Sequence, residues 1–325
     1  MHPLPTFVQP VAEGLYAIDT GFHRPNFDAA YLIVDEGRAA FVDTGTNHSV
    51  PRLLETLQAL ELSRDAVDYV IPTHVHLDHA GGAGLLMSEL PRATLVVHPQ
   101  GAPHLIDPHF LIQSATGVYG PDEMARSYGT VIGVPPKRVL RSTDGMELTL
   151  GSRRLTLLDT PGHARHHHCI WDERTRGFFT GDTFGLSYRE FDTAANGPWL
   201  MPTTTPVQFD PEALRVSVAR LLDYSPDAMY LTHYGRVGNV RRLGAMFLEQ
   251  LDAMVALGLS RGSAPLDATA RHHALLDGLA AIHLRSLRAH GCTLAEAHIR
   301  ELLALDLELN AQGIAVWLER RKRAR

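Results

Sequence analysis

The chain has 325 residues, 45% of them hydrophobic, enough for one large buried core and a smaller one. Its formal net charge of -6 supplies no overall positive field, so neither nucleic acid nor an anionic membrane is an expected partner. The two cysteines, Cys169 and Cys292, suggest neither a disulfide framework nor a thiolate metal site, and the start MHPLPTFVQPV has no basic stretch leading into an apolar run. With no uninterrupted apolar stretch of about 18 residues, the expectation is a cytoplasmic protein without a membrane span.

Residues 15–19, 30–34 and 39–43 are β-rich runs separated by Gly, Asp and Asn, the punctuation that ends strands, and should be neighbours in one sheet. Residues 49–60 place Leu53, Leu54, Leu57 and Leu60 at helical spacing behind Ser49 as N-cap, which predicts an amphipathic helix on that sheet. DYVIPT at 68–73 reads as a buried strand and 83–90 as a helix, so the residues between them fall on a loop at a strand end. Residues 98–120 read as a loop-like insertion carrying Phe110, Ile112 and Tyr119. A second β-rich block runs from 138 to 181. Asp210 and Pro211 then open a helix that presents Leu214, Val218, Leu221 and Leu222 on one face, and AMYLT at 228–232 is a strand that delivers His233.

Two halves, each of strands followed by helices, imply an α/β architecture of two packed sheets with helices outside. From about residue 241 the β signals stop, and three or four helices are expected, with Thr293 and Glu296 as a capping box ahead of Leu302, Leu303, Leu305 and Leu309. The predicted organisation is one domain over residues 1–240 and a helical C-terminal region over 241–325. The terminal RRKRAR reads as a solvated helix end whose cations suit the helix dipole.

The chemistry concentrates at 73–82, THVHLDHAGG, where His74, His76, Asp78 and His79 fall on a turn between a strand and a glycine pair. Neutral imidazoles suit borderline first-row ions, and a carboxylate partly offsets their charge. Burying such a cluster without metal would leave costly polar groups unsatisfied. Three more ligand-type residues follow β-like runs: His163 in DTPGHARHHHC, Asp182 in FFTGDTFG and His233 in YLTHYG.

In these motifs the chain resembles the metallo-β-lactamase superfamily, on its lactonase and glyoxalase II-like side. Asp43 in FVDTG, THVHLDHAGG, PGH at 161–163, GD at 181–182 and His233 occur in the family's order, across roughly residues 10 to 240. The resemblance implies an αββα sandwich, one metal on His74, His76 and His163, a second on Asp78, His79 and His233, and Asp182 bridging the two. Asp43 matches a position that orients a ligand or the metal loop, and His167 matches a histidine common after PGH. His166 and His168 are expected to be strand or packing residues.

Two divalent ions, zinc first with iron or manganese as alternatives, would activate a bridging water to hydroxide at neutral pH for attack on a small-molecule ester, lactone or thioester. Asp78 is then the candidate proton carrier, and Tyr188 a candidate hydrogen-bond donor to the oxyanion or leaving group. The run 183–209, with Phe184, Tyr188, Phe191, Trp199, Met201 and Phe209, is expected to wall an apolar pocket. Asp182 stands where many zinc β-lactamases carry cysteine, and TFGLSYREFD after it lacks the basic glutathione-binding pattern of glyoxalase II. The alternative is an iron redox protein of the same fold, acting on oxygen, nitric oxide or persulfide. Against it, His76 stands where flavodiiron members usually place a carboxylate, and their flavin domain is missing. A homodimer through the helical tail is the expectation from relatives.

Overall fold

The computed structural model describes residues 3–323, without the side chain of Tyr119. The expectation for Tyr119, and the last two residues of RRKRAR, therefore lie outside the described residues. By packing, the chain forms two compact units: the first takes Met1–Asp159, His166–Gly181 and Pro226–Gly238, the second Thr160–Arg165, Asp182–Ser225 and Asn239–Arg325.

The first unit holds both sheets. Strands β1 (Val8–Ala12), β2 (Leu15–Asp19), β3 (Ala29–Asp35), β4 (Arg38–Val42), β5 (Val67–Ile71), β6 (Thr94–Val97) and β7 (Val139–Arg141) lie side by side in chain order. Pairing is antiparallel from β1 to β4 and parallel from β4 to β7. The second sheet contains β8 (Met146–Leu150), β9 (Arg153–Asp159), β10 (His168–Asp172), β11 (Gly177–Gly181), β12 (Ala228–Leu231) and β13 (Gly235–Val237), and runs in reverse chain order from β13 to β8. Among the described residues of this sheet, β11 and β12 pair in parallel and the others antiparallel.

The two-residue period of β3 and β4 explains why the sheets stack. Ala30, Leu32 and Phe41 face a core shared with Leu53, Leu57, Leu86 and Met87 of the covering helices. Tyr31, Ile33, Ala40 and Val42 face a second core shared with Leu148, Leu155, Ile170 and Phe179 of the other sheet. A strand covered on both faces reads as an apolar run, as AAYLIVD does.

The covering helices include α1 (Val50–Ala59), α2 (Leu77–Ala80) and α3 (Ala83–Glu89). Ser49 precedes α1 as expected but makes no side-chain cap to it; its hydroxyl accepts the Thr46 N–H at 3.2 Å. The region read as a loop at 98–120 is instead largely helical, with α4 (Ala102–Ile106), α5 (His109–Tyr119) and the short α6 (Pro121–Glu123). Ala102 and Leu105 anchor α4 in the core, whereas among its described side chains α5 keeps none fully buried and shows only a weak apolar stripe.

The second unit contains α7 (Pro211–Asp223), α8 (Val240–Ser263), α9 (Ala268–Ala289), α10 (Glu296–Leu302) and α11 (Ala304–Arg323). Asp210 caps α7 as read, accepting the Ala213 N–H at 3.1 Å. The Thr293 capping box does not form: α10 starts at Glu296 behind Ala295, with no side-chain cap. By length and composition α8 could cross a bilayer, yet Leu243, Phe247, Leu251 and Met254 are fully buried in this unit. The aromatics expected as a pocket wall are core residues. Phe184 stacks on Phe247 at 6.0 Å, Phe209 meets Trp317 at 6.4 Å, and Trp199 donates its indole N–H to Ser286 Oγ at 2.9 Å.

Each unit also buries a histidine whose hydrogen-bond partners carry no charge. His168 donates from Nε2 to the Pro72 carbonyl and accepts the Ser142 hydroxyl at Nδ1, both at 2.9 Å. His283 faces Gln250 Oε1 through Nδ1 at 2.9 Å. Burial pushes both down to about 4. Both lie below the ordinary value of 6.5, so between these limits the unfolded chain binds more protons than the folded one. Their contribution is complete above about pH 6.5 and is lost as pH falls toward about 4. Thermal unfolding should therefore show a midpoint that falls across this window and falls less in His283→Gln; equal pH slopes in the two proteins would contradict the assignment.

Candidate metal centre

Immediately after β4, Asp43 adopts φ +57°, a left-handed conformation rare outside glycine. Its carboxylate is buried and accepts four kinds of proton. Oδ1 takes the Thr73 N–H at 2.7 Å and shares the Thr73 hydroxyl proton with Oδ2, at 3.0 and 3.1 Å. Oδ2 also takes the His79 Nδ1–H at 2.9 Å and the Thr232 hydroxyl at 2.7 Å. One side chain thus ties the ends of β4, β5 and β12 together.

These bonds set the histidine tautomers. His79 spends its Nδ1–H on Asp43, and His233 donates its own to the Phe27 carbonyl at 2.9 Å, so each turns an Nε2 lone pair inward. Asp78 Oδ2 lies 3.7 Å from His79 Nε2 and 3.5 Å from His233 Nε2. Three acceptors in mutual reach repel one another unless a cation lies between them. A tetrahedral ion with bonds near 2.1 Å sets its ligand atoms about 3.4 Å apart, so Asp78, His79 and His233 fit a metal. His74 and His76 stand beside them, with Nε2 of the first and Nδ1 of the second 2.7 Å apart. His74 Nδ1 faces Thr73 Oγ1 at 3.2 Å, and because that hydroxyl donates to Asp43, Nδ1 carries the proton.

The second unit contains the predicted ligands His163 and Asp182. His163 Nε2 and Asp182 Oδ2 are 3.2 Å apart, and His163 Nδ1 faces the Thr203 carbonyl at 3.3 Å. Gly162, at φ +139°, has the Leu214 backbone where a side chain would stand, so glycine is required for this approach.

Tyr188, the candidate donor, already has a partner within the fold. It is fully buried and its hydroxyl donates to Asp306 Oδ1 at 3.2 Å, within the second unit. His167 lies flat on His74, with ring centres 4.8 Å apart, in keeping with its expected supporting place. His168 is structural as read. The His166 ring is buried, edge-on to His76 at 5.5 Å and parallel to His74 at 6.2 Å.

Other neighbours escaped the sequence reading. Asp28 is buried and accepts the Thr20 hydroxyl at 2.9 Å; burial pushes its pKa up to about 7 against the pull of His233 and His79. Burial also lowers the pKa of His23, which Glu123 and Asp78 oppose. An acidic residue opening the apolar run AAYLIV was the available signal for Asp28.

A model of the metallo-beta-lactamase superfamily matches residues 23–233. The metallo-beta-lactamase fold-containing protein ST1585 of Sulfurisphaera tokodaii is 28% identical over 232 residues, covering 69% of this chain and 79% of that protein. Its crystal structure matches at TM-score 0.61 and 26% identity, over 85% of this chain and 98% of that one. The family protein TTHA1429 of Thermus thermophilus matches at TM-score 0.62 and 23% identity, over 87% of this chain and 95% of that one, a likeness of fold alone. Human acyl-coenzyme A thioesterase MBLAC2 is 27% identical over 186 residues, which is 53% of this chain and 64% of that protein, less than two thirds of its length. Together with the two stacked sheets, these matches show the expected αββα fold and its helical C-terminal region.

Two substitutions test the support of the ligand loop. Asp43→Asn removes the charge that holds His79 in place and should weaken zinc binding roughly 10- to 100-fold in a competitive chelator titration; wild-type affinity would contradict this role. Gly181, at φ +45°, has His167 Nε2 2.7 Å from where a Cβ would stand and Thr73 Oγ1 closer still. Gly181→Ala should cost about 2 kcal/mol or more in urea unfolding, and a cost near zero would show that the neighbours yield freely.

Proposed function

We propose that this chain, which belongs to the metallo-beta-lactamase superfamily, is a dimetal hydrolase of a small-molecule ester, lactone or thioester. The observation that carries the proposal is the convergence of Asp78, His79 and His233 at spacings of 3.5 and 3.7 Å, with both imidazole protons already spent on Asp43 and Phe27. The family pattern would add His74, His76, His163 and Asp182 as the further residues that hold metal. Five imidazoles with two carboxylates suit zinc, and also iron or manganese, because affinity alone does not select among them.

When bound, two divalent ions supply Lewis acidity and a water acidic enough to attack at neutral pH. The chain's own groups do the positioning. Asp43 holds the His79 ring, the Phe27 carbonyl holds the His233 ring, and His167 backs the His74 ring. Asp78, whose side chain is 26% exposed, is the acidic group of the first unit's set open enough to pass a proton to a departing oxygen or sulfur. Thioesters head the substrate panel because one relative is named an acyl-coenzyme A thioesterase. The net charge of -6 and the cysteine usage support a small-molecule substrate in the cytoplasm.

The test combines metal analysis with turnover. Protein purified without added metal, then loaded with zinc, should hydrolyse at least one of a set of acyl thioesters, aryl esters and lactones, and a chelator should abolish the activity. His76→Ala and Asp182→Ala should each lose bound metal and at least about 100-fold in kcat/KM together. Stoichiometric iron with oxygen-dependent turnover, or full activity in both variants, would overturn the proposal.

A further inference from the structure

The insertion after β6 is docked on the ligand loop. Gly101, at the start of α4, stands where an added Cβ would lie 2.6 Å from Val75 Cγ1, and Val75 separates His74 from His76. Ala102 and Leu105 fix the other face of α4 in the core. This leaves His104 half-buried, with its ring centre 6.3 Å from that of His166, which is itself edge-on to His76 at 5.5 Å. Among the described residues, no hydrogen bond or ion pair engages the His104 ring. His79 and His233, by contrast, are each oriented by a hydrogen bond at 2.9 Å. A rigidly carried imidazole in reach of solvent, two ring-to-ring steps from His76, has the chemistry to meet an oxygen on a bound molecule.

We propose that His104 is a specificity-determining residue: its imidazole hydrogen-bonds a second oxygen function of the substrate, several bonds from the group that is cleaved, on the His76 side of the centre. The inference rests on the hydrolase reading and narrows its substrates to those that carry such an oxygen, a carboxylate being the simplest. The His166 ring lies between the two.

Binding can be measured without turnover, which separates this inference from the reaction itself. Zinc-loaded protein is titrated calorimetrically with butyrate, succinate, glutarate and adipate, and each dicarboxylate is compared with the monocarboxylate. At least one dicarboxylate should bind about 3- to 10-fold tighter than butyrate, the worth of one hydrogen bond. His104→Ala should abolish that ratio, and His104→Gln should recover part of it, with zinc content and the thermal midpoint recorded for each variant. A wild type that does not distinguish the acids, or a ratio that survives His104→Ala, overturns the inference. If the ratio behaves as expected while no ester, thioester or lactone is turned over, the hydrolase reading fails and the binding role of His104 stands.

Discussion

A carboxylate buried as deeply as that of Asp43 is tolerated only if donors surround it, because an ionised group left unpaired in a protein interior costs several kcal/mol at least. Here the donors are the Thr73 amide and hydroxyl, the His79 ring and the Thr232 hydroxyl. They come from segments as far apart in the chain as residues 73 and 232, and they meet only when β4, β5 and β12 end at the same place. The left-handed backbone at Asp43 adds strain of order 1 kcal/mol, which the same bonds offset. Folding of the first unit and orientation of its ligand loop are therefore one constraint. Asp43 binds no metal in the proposed centre, yet it decides which nitrogen of His79 is available to one.

The same economy recurs around the centre. The Phe27 carbonyl does for His233 what Asp43 does for His79, and Thr73 does it for His74. Fixing a neutral tautomer through the outer nitrogen leaves the inner one as a lone pair, so the ligands are prepared before any ion arrives. The cost is a set of acceptors facing one another, and this makes a cation the natural occupant.

The sheets were legible in the sequence because β3 and β4 alternate between two cores and Gly, Asp and Asn punctuate their ends. The ligand loop was legible because four ligand-type residues within six positions have few other uses. The insertion at 98–120 was not, because α4 has five residues and α5 only a weak apolar stripe, too little for a helical period to stand out. The aromatics of 183–209 were misread for a different reason. Periodicity says nothing about what covers a loop, and the cover comes from Phe247, Ser286 and Trp317, far along the chain. The partner of Tyr188 was out of sight for the same reason: Asp306 lies in a helix that begins 116 positions later. His166 was hidden among adjacent histidines, whose individual directions are set by the turn into β10 and by no pattern in the residues themselves.

The central proposal is that seven side chains hold two ions. Anomalous diffraction at the zinc absorption edge, from crystals of the zinc-loaded protein, tests it most directly. The account predicts two zinc peaks per chain, one on His74, His76 and His163, the other on Asp78, His79 and His233, with Asp182 reaching both. A single peak, or a second ion held by other residues, would contradict it.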